Sequence, residues 1–362
     1  MTVFLDPITW HYEQDRLFER HPNGDYHAHF RHAKERLEGQ GIPVHTGDFL
    51  MRGEFVSGPS IYIAIGTLKR YRAVADRGLA CLSALFHTEA PIVHPSTYRG
   101  TPEAAQHFKR IFSFTTPRAL ERFGCGEVAF RDFRIPYFRD GVFESLWDRR
   151  DRKFLTMISQ NKLPNLDWNE LYTERLRILE YFDREATIDL YGIGWDRMPF
   201  RVGERRLHPQ LVRLHRMVWE GLPFTRNHPH DALIKKVWRG EVASKHETLS
   251  GYTFAFCYEN MELKGWINEK IFDAFVSGTI PIYRGGTDVA DYIPEDCFID
   301  PRRFSGYAEL LAYLRSLGPD EIRRYRENAR DYMASGQYYP FSKEAFGDIV
   351  VATVEEDLEG VR

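Results

Sequence analysis

The sequence predicts an α/β protein with two Rossmann-like domains, and three observations support that class. Short apolar runs rich in β-branched and aromatic residues alternate with amphipathic helical patterns along most of the chain. A dense charged stretch at residues 148–153 interrupts the alternation, which then starts again. The chain has 362 residues, more than one hydrophobic core usually supports. Two successive series of this kind imply two domains that face each other across a cleft.

The first half of the sequence gives strands and helices in turn. Strands are predicted at residues 2–5, 42–44, 60–65, 81–86 and 110–114. Apolar residues recur at helical spacing from position 26 to position 37, and Gly39 and Gly41 end that helix. A basic helix follows at residues 70–77, and Pro102 marks the start of another.

The second half repeats this order. Strands are predicted at residues 154–158, 187–191, 253–258 and 279–283, and helices at 168–182 and 271–276, the latter closed by Gly278. The polar stretch 197–244 gives no clear element. We therefore expect a first domain at residues 1–150, a second at 151–345 and a C-terminal tail at 346–362.

Composition and charge exclude several classes of protein. The formal net charge of −3 lacks the basic excess of a nucleic-acid binder. Cys81, Cys125, Cys257 and Cys297 are far apart and form no C-x-x-C pair, which predicts a reducing compartment and no zinc site. The sequence shows no signal peptide and no apolar run near the roughly 18 residues of a membrane span. We expect a cytoplasmic protein, with peripheral membrane contact left open.

Common catalytic motifs are missing from the sequence. It has neither G-x-x-x-x-G-K-[ST] nor a strand-linked G-x-G-x-x-G, so no motif supports an ordinary ATPase or an NAD-dependent enzyme. It also lacks a G-x-S-x-G nucleophile elbow. His208, His215, His228 and His230 fall in one region without H-E-x-x-H spacing, so a surface loop is expected there rather than a metal site.

The most chemically varied segment is residues 252–286. Its apolar run at 253–258 is typical of a strand covered on both faces. Polar side chains follow directly: Glu259, Asn260, Glu262, Lys264, Asn268, Glu269 and Lys270. A solvated loop is the alternative, but ligands of open α/β sheets bind at the carboxyl ends of the strands. A nucleotide-sugar would suit carboxylate, amide, ammonium and guanidinium groups of this kind.

This segment resembles the signature of the α-1,3/α-1,4-fucosyltransferases, glycosyltransferase family 10. The family pattern is F-E-N, then Y-V-T-E-K, then a strand of the type A-x-P-V/I. The matching runs here are FCYEN at 256–260, WINEKI at 266–271 and GTIPIY at 278–283. Two further runs match in order: EAP at 89–91 resembles E-S-P, and RLR at 175–177 with IDLYG at 188–192 resembles R-x-R…V-D-V-Y-G.

The resemblance implies the GT-B architecture and an inverting transfer of L-fucose from GDP-fucose to a hydroxyl group of a glycan acceptor. The residues that match its donor-binding positions are Arg175, Asn260, Trp266, Glu269 and Lys270, with Tyr258 and Glu259 supporting them from behind. Lys270 and Arg175 would supply positive charge to the diphosphate. Because protein cations can do this work, no obligatory metal or cofactor is expected.

The other donor-binding positions have expected roles of their own. Glu269 resembles the carboxylate that holds the ribose hydroxyls. Asn260 suits recognition of the base or the ribose, since its amide both donates and accepts. Trp266 is expected to stack or pack beside the nucleotide, although a core tryptophan is the alternative.

The resemblance assigns the catalytic base to the N-terminal, acceptor-binding domain. Glu89, at the end of a predicted strand, resembles the base that takes the proton of the acceptor hydroxyl, and partial desolvation would suit it for that task. His87 and His94 are the alternatives.

Two other interpretations of the chain stay open. Trp266, Asn268 and Ala90 replace the Tyr, Thr and Ser of the family pattern, which leaves room for another nucleotide-sugar as donor. The second interpretation is a catalytically silent glycan-binding or scaffold domain.

Overall fold

The computed structural model describes residues 1–20, 25–139, 141–186, 188–203 and 230–359. The chain divides into two compact units, one made of Met1–Asp140 with Gly336–Arg362, and the other of Gly141–Ser335. Each unit has a parallel sheet combined with helices. The predicted α/β class is therefore confirmed. The boundary at 140/141 lies ten residues before the expected one, and the chain returns to the first unit at Gly336.

The described elements alternate as predicted. The strands are β1 (Thr2–Asp6), β2 (Val44–Thr46), β3 (Ser60–Ile65), β4 (Cys81–Phe86), β5 (Arg110–Ser113), β6 (Arg131–Asp132), β7 (Lys153–Ile158), β8 (Lys162–Pro164), β9 (Ile188–Tyr191), β10 (Phe200–Val202), β11 (Tyr252–Tyr258) and β12 (Ile280–Arg284). The helices are α1 (Ala28–Gly39), α2 (Gly47–Arg52), α3 (Tyr71–Asp76), α4 (Pro95–Ala104), α5 (Glu144–Trp147), α6 (Tyr172–Glu185), α7 (Asp231–Val237), α8 (Lys245–Ser250), α9 (Glu269–Val276), α10 (Tyr307–Ser316), α11 (Pro319–Ala334) and α12 (Lys343–Glu359). Short 3-10 turns join several of them.

The N-terminal unit contains one sheet in the order β2-β1-β3-β4-β5-β6, with every neighbouring pair parallel. Strands β1 and β3 are buried along their whole length, which explains why they read as unbroken apolar runs. Since all strands run the same way, the loops after β1, β3 and β4 leave at one edge of this sheet.

Residues 346–362 were expected to be a tail, but most of them lie in α12, which packs on α1 in the N-terminal unit. The rings of Phe30 and Phe346 meet edge to face with centroids 5.3 Å apart. Near the end of α12, Asp357 accepts hydrogen bonds of 2.9 Å from both Lys109 and Arg110. A periodic apolar face, which includes the buried Val350 and Val354, is the reason this segment is a packed helix.

The C-terminal unit has a four-stranded sheet in the order β12-β11-β7-β9, with all pairs parallel, and a small parallel pair of β10 and β8. β11 lies between two neighbours and is buried over nearly its full length. The core beneath it includes Phe182, Phe254 and Ile282. This central position brings the carboxyl end of β11 to the middle of the sheet edge.

The charged stretch 148–153 was expected to be a solvated linker, and the structure places it inside the C-terminal unit. Arg152 donates hydrogen bonds to the carbonyl oxygens of Leu146, Trp147 and Ser277. Burial lowers the pKa of its guanidinium to about 10. Sequence patterning misses this because a charged side chain can bind backbone carbonyls instead of water.

Other element boundaries also shift. Pro102 does not begin a helix, because α4 starts at Pro95 and holds Pro102 near its end. The helix expected at 168–182 starts at Tyr172, and the strand expected at 42–44 starts at Val44. His208, His215 and His228 lie outside the described residues, whereas His230 precedes α7 and its Nδ1 lies 3.2 Å from a carboxylate oxygen of Glu180.

Candidate functional site

The candidate site begins where β11 ends. Glu259 follows the strand directly, is fully buried, and keeps its backbone in the sheet by donating a 2.8 Å hydrogen bond to the carbonyl of Arg284. Its carboxylate Oε1 accepts a 3.2 Å hydrogen bond from the backbone N–H of Asn268. A carboxylate without water needs such partners, because an unpaired buried charge is very costly.

Lys270 is the main partner of Glu259. Its ammonium group lies 2.8 Å from Glu259 Oε2, 3.1 Å from Glu269 Oε1 and 3.1 Å from Asn268 Oδ1. These three oxygens use the three donors of the ammonium group and fix its position. The result is a preorganised cation at the carboxyl edge of the C-terminal sheet.

The pKa values of this cluster follow from burial and charge. Burial raises the pKa of Glu259 to about 7, against the opposing effect of the Lys270 charge. Burial also acts to raise the pKa of Glu269, but the charges of Lys270 and Lys245 outweigh it and lower that pKa. For Lys270, burial acts to lower the pKa, and the two carboxylates reverse this and raise it. Lys270 therefore stays protonated across the physiological range.

Local sequence explains why these residues meet. Asn268 is the N-cap of α9, and its side-chain oxygen accepts from the N–H of Lys270. The cap fixes where the helix starts, and so places Glu269 and Lys270 in its first turn. Gly285 leaves room for Glu259, since a Cβ at that position would lie 2.2 Å from Glu259 Cγ.

Arg175 was expected to face the diphosphate or solvent from its helix, and the structure gives it a different contact. It is buried on α6, and its Nη2 donates 2.7 Å hydrogen bonds to the carbonyl oxygens of both Tyr258 and Glu259. Burial lowers the pKa of the guanidinium. Arg175 thus anchors the end of β11, while its charge also acts on Lys270.

The remaining predicted residues differ in exposure. Asn260 is partly exposed, and its side-chain amide makes no hydrogen bond to any residue that the structure describes. Tyr258 is buried. Trp266 is only 2% exposed, and its carbonyl accepts a 3.1 Å hydrogen bond from the Tyr283 hydroxyl. The expected stacking face of Trp266 is therefore packed in the core, which is the alternative that the sequence left open.

The structure adds a second ion pair that sequence reasoning missed. Lys245 on α8 lies 2.6 Å from the carboxylate of Asp273, which His246 also contacts at 2.9 Å. Asp273 is buried one turn after Glu269. Burial acts to raise the pKa of its carboxyl group, but Lys245 and His246 together outweigh burial and lower that pKa to about 2. An aspartate among the apolar residues of α9 was the available signal.

The predicted base lies in the N-terminal unit. Glu89 is partly exposed on the loop after β4, where its Oε1 accepts a 2.9 Å hydrogen bond from the N–H of Ala90. The hydroxyl of Tyr98 donates to the Glu89 carbonyl and holds the loop. The side chain of Glu89 is therefore partly accessible to a substrate hydroxyl, as general-base catalysis requires.

The two histidine alternatives have different surroundings. His87 is buried, with ring nitrogens 2.9 Å from the Thr101 hydroxyl and 3.2 Å from the Ser113 hydroxyl. Burial lowers its pKa to about 3, so it serves as a neutral packing residue. His94 is partly exposed before α4, and burial together with the charge of Lys69 lowers its pKa.

Two kinds of feature are missing from the described ranges. No group of three or more His, Cys, Asp and Glu side chains could hold a metal ion there. Over the same part of the chain, no helix combines the length and the apolar character needed to cross a membrane. The four cysteines are all free thiols.

Comparison with known protein families gives one family match. Residues 230–339 match the model of the glycosyltransferase family 10 (fucosyltransferase) C-terminal region, which includes Asn260, Glu269 and Lys270. An α-(1,4)-fucosyltransferase of Arabidopsis thaliana is 38% identical over 77 residues, which cover 21% of this chain and 19% of that protein. The α-(1,3)-fucosyltransferase FucT of Helicobacter pylori is 40% identical over 76 residues, 21% of this chain and 16% of that protein. The chain thus spans less than a fifth of the length of these two relatives.

A solved structure agrees over a larger part of the chain. Anabaena HepE, in complex with UDP, superposes with a TM-score of 0.54 at 11% sequence identity, covering 98% of this chain and 99% of that one. This likeness supports the two-unit α/β fold of the GT-B type.

Proposed function

We propose that this chain transfers L-fucose from GDP-fucose to a hydroxyl group of a glycan acceptor, because residues 230–339 match the C-terminal region of the glycosyltransferase family 10 enzymes. The observation that carries the proposal is the Lys270 cluster. It lies at the carboxyl end of a central parallel strand, inside the matched region, and its Glu259, Glu269 and Lys270 match the family signature, whereas its Asn268 departs from it.

The cluster suits the diphosphate of a nucleotide-sugar. Lys270 remains charged and is held by three oxygen atoms, two of them from carboxylates, so the cluster has no surplus positive charge. A diphosphate oxygen would replace one of these partners and accept a hydrogen bond from an ammonium group that is already in position. It also lies in the first turn of α9, where backbone N–H groups favour anions. Departure of GDP adds negative charge to the diphosphate, and Lys270 would stabilise that charge.

The nucleoside would be recognised by the side chains on either side of Lys270. Glu269 carries a partly exposed carboxylate with a lowered pKa, which suits it to accept hydrogen bonds from ribose hydroxyls. Asn260 offers an amide with both a donor and an acceptor. Arg175 would act mainly by fixing the end of β11, because the positions of Asn260 and Glu269 depend on where that strand ends.

The acceptor half of the reaction would use Glu89. In an inverting transfer, a general base takes the proton of the acceptor hydroxyl while that oxygen attacks the anomeric carbon in line. Glu89 meets the chemical requirement of a partly exposed carboxylate on a loop held by Tyr98. The cytoplasmic location, the inverting outcome and the lack of an obligatory metal remain predictions.

The test is a donor and acceptor assay. The purified chain is incubated with GDP-fucose, GDP-mannose or UDP-glucose and a panel of neutral oligosaccharides, and GDP or UDP release and glycan products are measured. We expect fucosylated product only, and a loss of at least about 100-fold in Glu89→Gln, the usual scale of general-base catalysis. Glu103→Gln, which alters an exposed carboxylate paired with Arg72, is the matched control.

Three outcomes of this assay would count against the proposal. Transfer only from a donor other than GDP-fucose would show that the proposed donor is wrong. The departure of Asn268 from the family pattern would fit that result. Binding of GDP without any transfer would favour a silent glycan-binding domain. Unchanged transfer by Glu89→Gln would remove Glu89 as the base.

A further inference from the structure

The segment that follows β1, which we call the β1 loop (residues 7–18), leaves the N-terminal sheet at the same edge as the Glu89 loop. The two loops meet at Gly66, at the end of β3. A Cβ on Gly66 would lie 2.4 Å from the hydroxyl of Thr88 and 3.1 Å from Cδ1 of Ile8. Lys69 also donates a 3.0 Å hydrogen bond to the carbonyl of Ile8. The β1 loop is therefore a close neighbour of the proposed base within its own unit.

Several polar contacts hold the β1 loop in one conformation. The backbone N–H of Gln14 donates to both carboxylate oxygens of Asp48 at 3.2 and 3.3 Å. The N–H of Asp15 donates to the Thr46 hydroxyl at 3.0 Å, and the Asp15 carboxylate accepts from the N–H of Thr46 at 2.8 Å. Asp48 is buried, so these contacts are well shielded from water.

The same part of the loop has an unusual backbone. Gln14 and Asp15 are consecutive, and both have left-handed φ angles, of 59° and 60°. Residues other than glycine adopt this conformation reluctantly, and such strain persists only where the surrounding structure enforces it. The contacts to Thr46 and Asp48 supply that enforcement.

A charged network supports the loop from the sheet side. Arg70 bridges the buried carboxylate of Asp6, at 2.5 Å, and the carboxylate of Glu13. One guanidinium is thus shared by two carboxylates, so this network offers no surplus positive charge to an acidic ligand.

The β1 loop displays an exposed aromatic pair. Trp10 is 62% exposed, the highest fraction among the large hydrophobic side chains in the described ranges. Its indole stacks on the His11 ring with centroids 3.7 Å apart and planes 26° apart. Thr9 orders the pair, because its hydroxyl accepts from the His11 N–H at 3.1 Å and lies 3.2 Å from His11 Nδ1. A rigid loop therefore holds a large apolar ring in water, next to polar groups.

We propose that Trp10, stacked on His11, is the platform on which a neutral sugar ring of the glycan acceptor lies. The apolar C–H face of a pyranose would cover the indole, and its hydroxyls would meet the imidazole and carboxylate groups beside it. The position at the Glu89 edge of the sheet and the absence of surplus positive charge in the Arg70 network favour a neutral sugar over an acidic one. This assignment rests on the proposed function, since it names the acceptor side of the same reaction.

The experiment measures glycan binding by the full chain in the presence of GDP, on an array that carries neutral and sialylated oligosaccharides. The wild-type protein is expected to bind neutral glycans. Trp10→Ala should weaken that binding about 3- to 10-fold, the range that aromatic stacking supports, and Trp10→Phe should retain most of it. The affinity of Trp10→Ala for GDP, measured by calorimetry, should match that of the wild type.

Tyr339 provides a matched control in the same unit. It is 47% exposed, and its hydroxyl donates a hydrogen bond to Asp348 on α12. Tyr339→Ala should leave glycan binding unchanged. The platform would be refuted by equal losses in both alanine variants or by no loss in Trp10→Ala. It would also be refuted if the wild type bound only acidic glycans or no glycan at all. Failure of the wild type to bind GDP would instead contradict the proposed function.

Discussion

Glu259 is the residue whose surroundings most constrain the candidate site. Its carboxylate is fully buried and is held by Lys270 and by the N–H of Asn268, with the Glu269 carboxylate close by. Burial raises its pKa to about 7 from an ordinary value of 4.5. The free energy of unfolding must therefore depend on pH through this group.

The direction of that dependence follows from proton binding. Between these two pKa values the folded protein holds a proton at Glu259 that the unfolded chain releases. This contribution to the free energy of unfolding is complete below about pH 4.5 and is lost as the pH rises through about 7. Its size is on the order of 3 kcal/mol at most.

Glu259→Gln, which cannot titrate, is expected to lose less stability than the wild type between about pH 5 and pH 8. Urea unfolding at several pH values, followed by tryptophan fluorescence, would measure the difference between the two proteins. Glu262→Gln, a change in the same loop at a partly exposed carboxylate paired with Arg284, should track the wild type. Parallel curves for the wild type and Glu259→Gln would show that the burial of Glu259 does not control its pKa.

The sequence predicts which residues form the candidate site better than it predicts the contacts that those residues make. The spacing of Asn260, Glu269 and Lys270 indicates one strand end and one helix start, and both are present. The sequence could not show that Arg175 binds two backbone carbonyls or that Trp266 is buried. Arg175 lies on α6, 83 positions before Tyr258, and the carbonyl of Trp266 is bound by Tyr283 of β12, so both contacts join parts of the chain that are separate in sequence.

Among the elements, the turn after β12 sets the shape of the site. Gly285 faces Glu259 so closely that a Cβ would lie 2.2 Å from Glu259 Cγ and 2.7 Å from the Tyr283 hydroxyl. The turn is therefore the wall that keeps the Glu259 carboxylate against Lys270.

Gly285→Ala is expected to destabilise the C-terminal unit by about 1–3 kcal/mol, the cost of overpacking, and to weaken GDP binding because Glu259 must move. Thermal unfolding and calorimetry with GDP measure the two effects. Gly306→Ala is the matched control, since nothing lies within 4 Å of a Cβ there and its φ of 170° is extended backbone. A Gly285→Ala protein that binds GDP like the wild type would remove the turn from the site.

The last helix shows a second limit of sequence patterning. α12 lies after the C-terminal unit in the chain, so a sequence without an alignment suggests a tail. Its apolar face packs on α1, more than 300 positions earlier, where Arg36 pairs with Asp348, and its Phe346 also contacts Phe86 of β4. Non-local pairing of this kind leaves no local signal in the sequence.

Val354 tests whether α12 supports the N-terminal unit. It is fully buried, so Val354→Ala should lower the free energy of unfolding by roughly 2 kcal/mol through lost contacts and a small cavity. The matched control is Ala352→Ser, a change at an exposed position of the same helix that should leave stability nearly unchanged. Denaturant unfolding compares the two variants, and equal stabilities would mean that α12 contributes little to the core.

For the whole molecule, the alternation of strands and helices predicts the two-unit α/β fold, because each period follows directly from local side-chain pattern. The unit boundaries are less predictable. Arg152 belongs to a charged run that looks like a linker, yet its guanidinium binds three backbone carbonyls inside the C-terminal unit. The proposed function depends on both units, since the donor residues lie in one and Glu89 in the other.

The Lys270 cluster is proposed to bind the diphosphate of GDP. Calorimetric titration of GDP into the wild type, Lys270→Ala and Lys264→Ala isolates the contribution of Lys270, because Lys264 is an exposed lysine of the same loop. We expect the wild type and Lys264→Ala to bind GDP alike, and Lys270→Ala to bind at least about 10-fold more weakly, a loss of about 1.4 kcal/mol. No GDP binding by the wild type, or equal affinity in Lys270→Ala, would show that Lys270 does not bind the diphosphate.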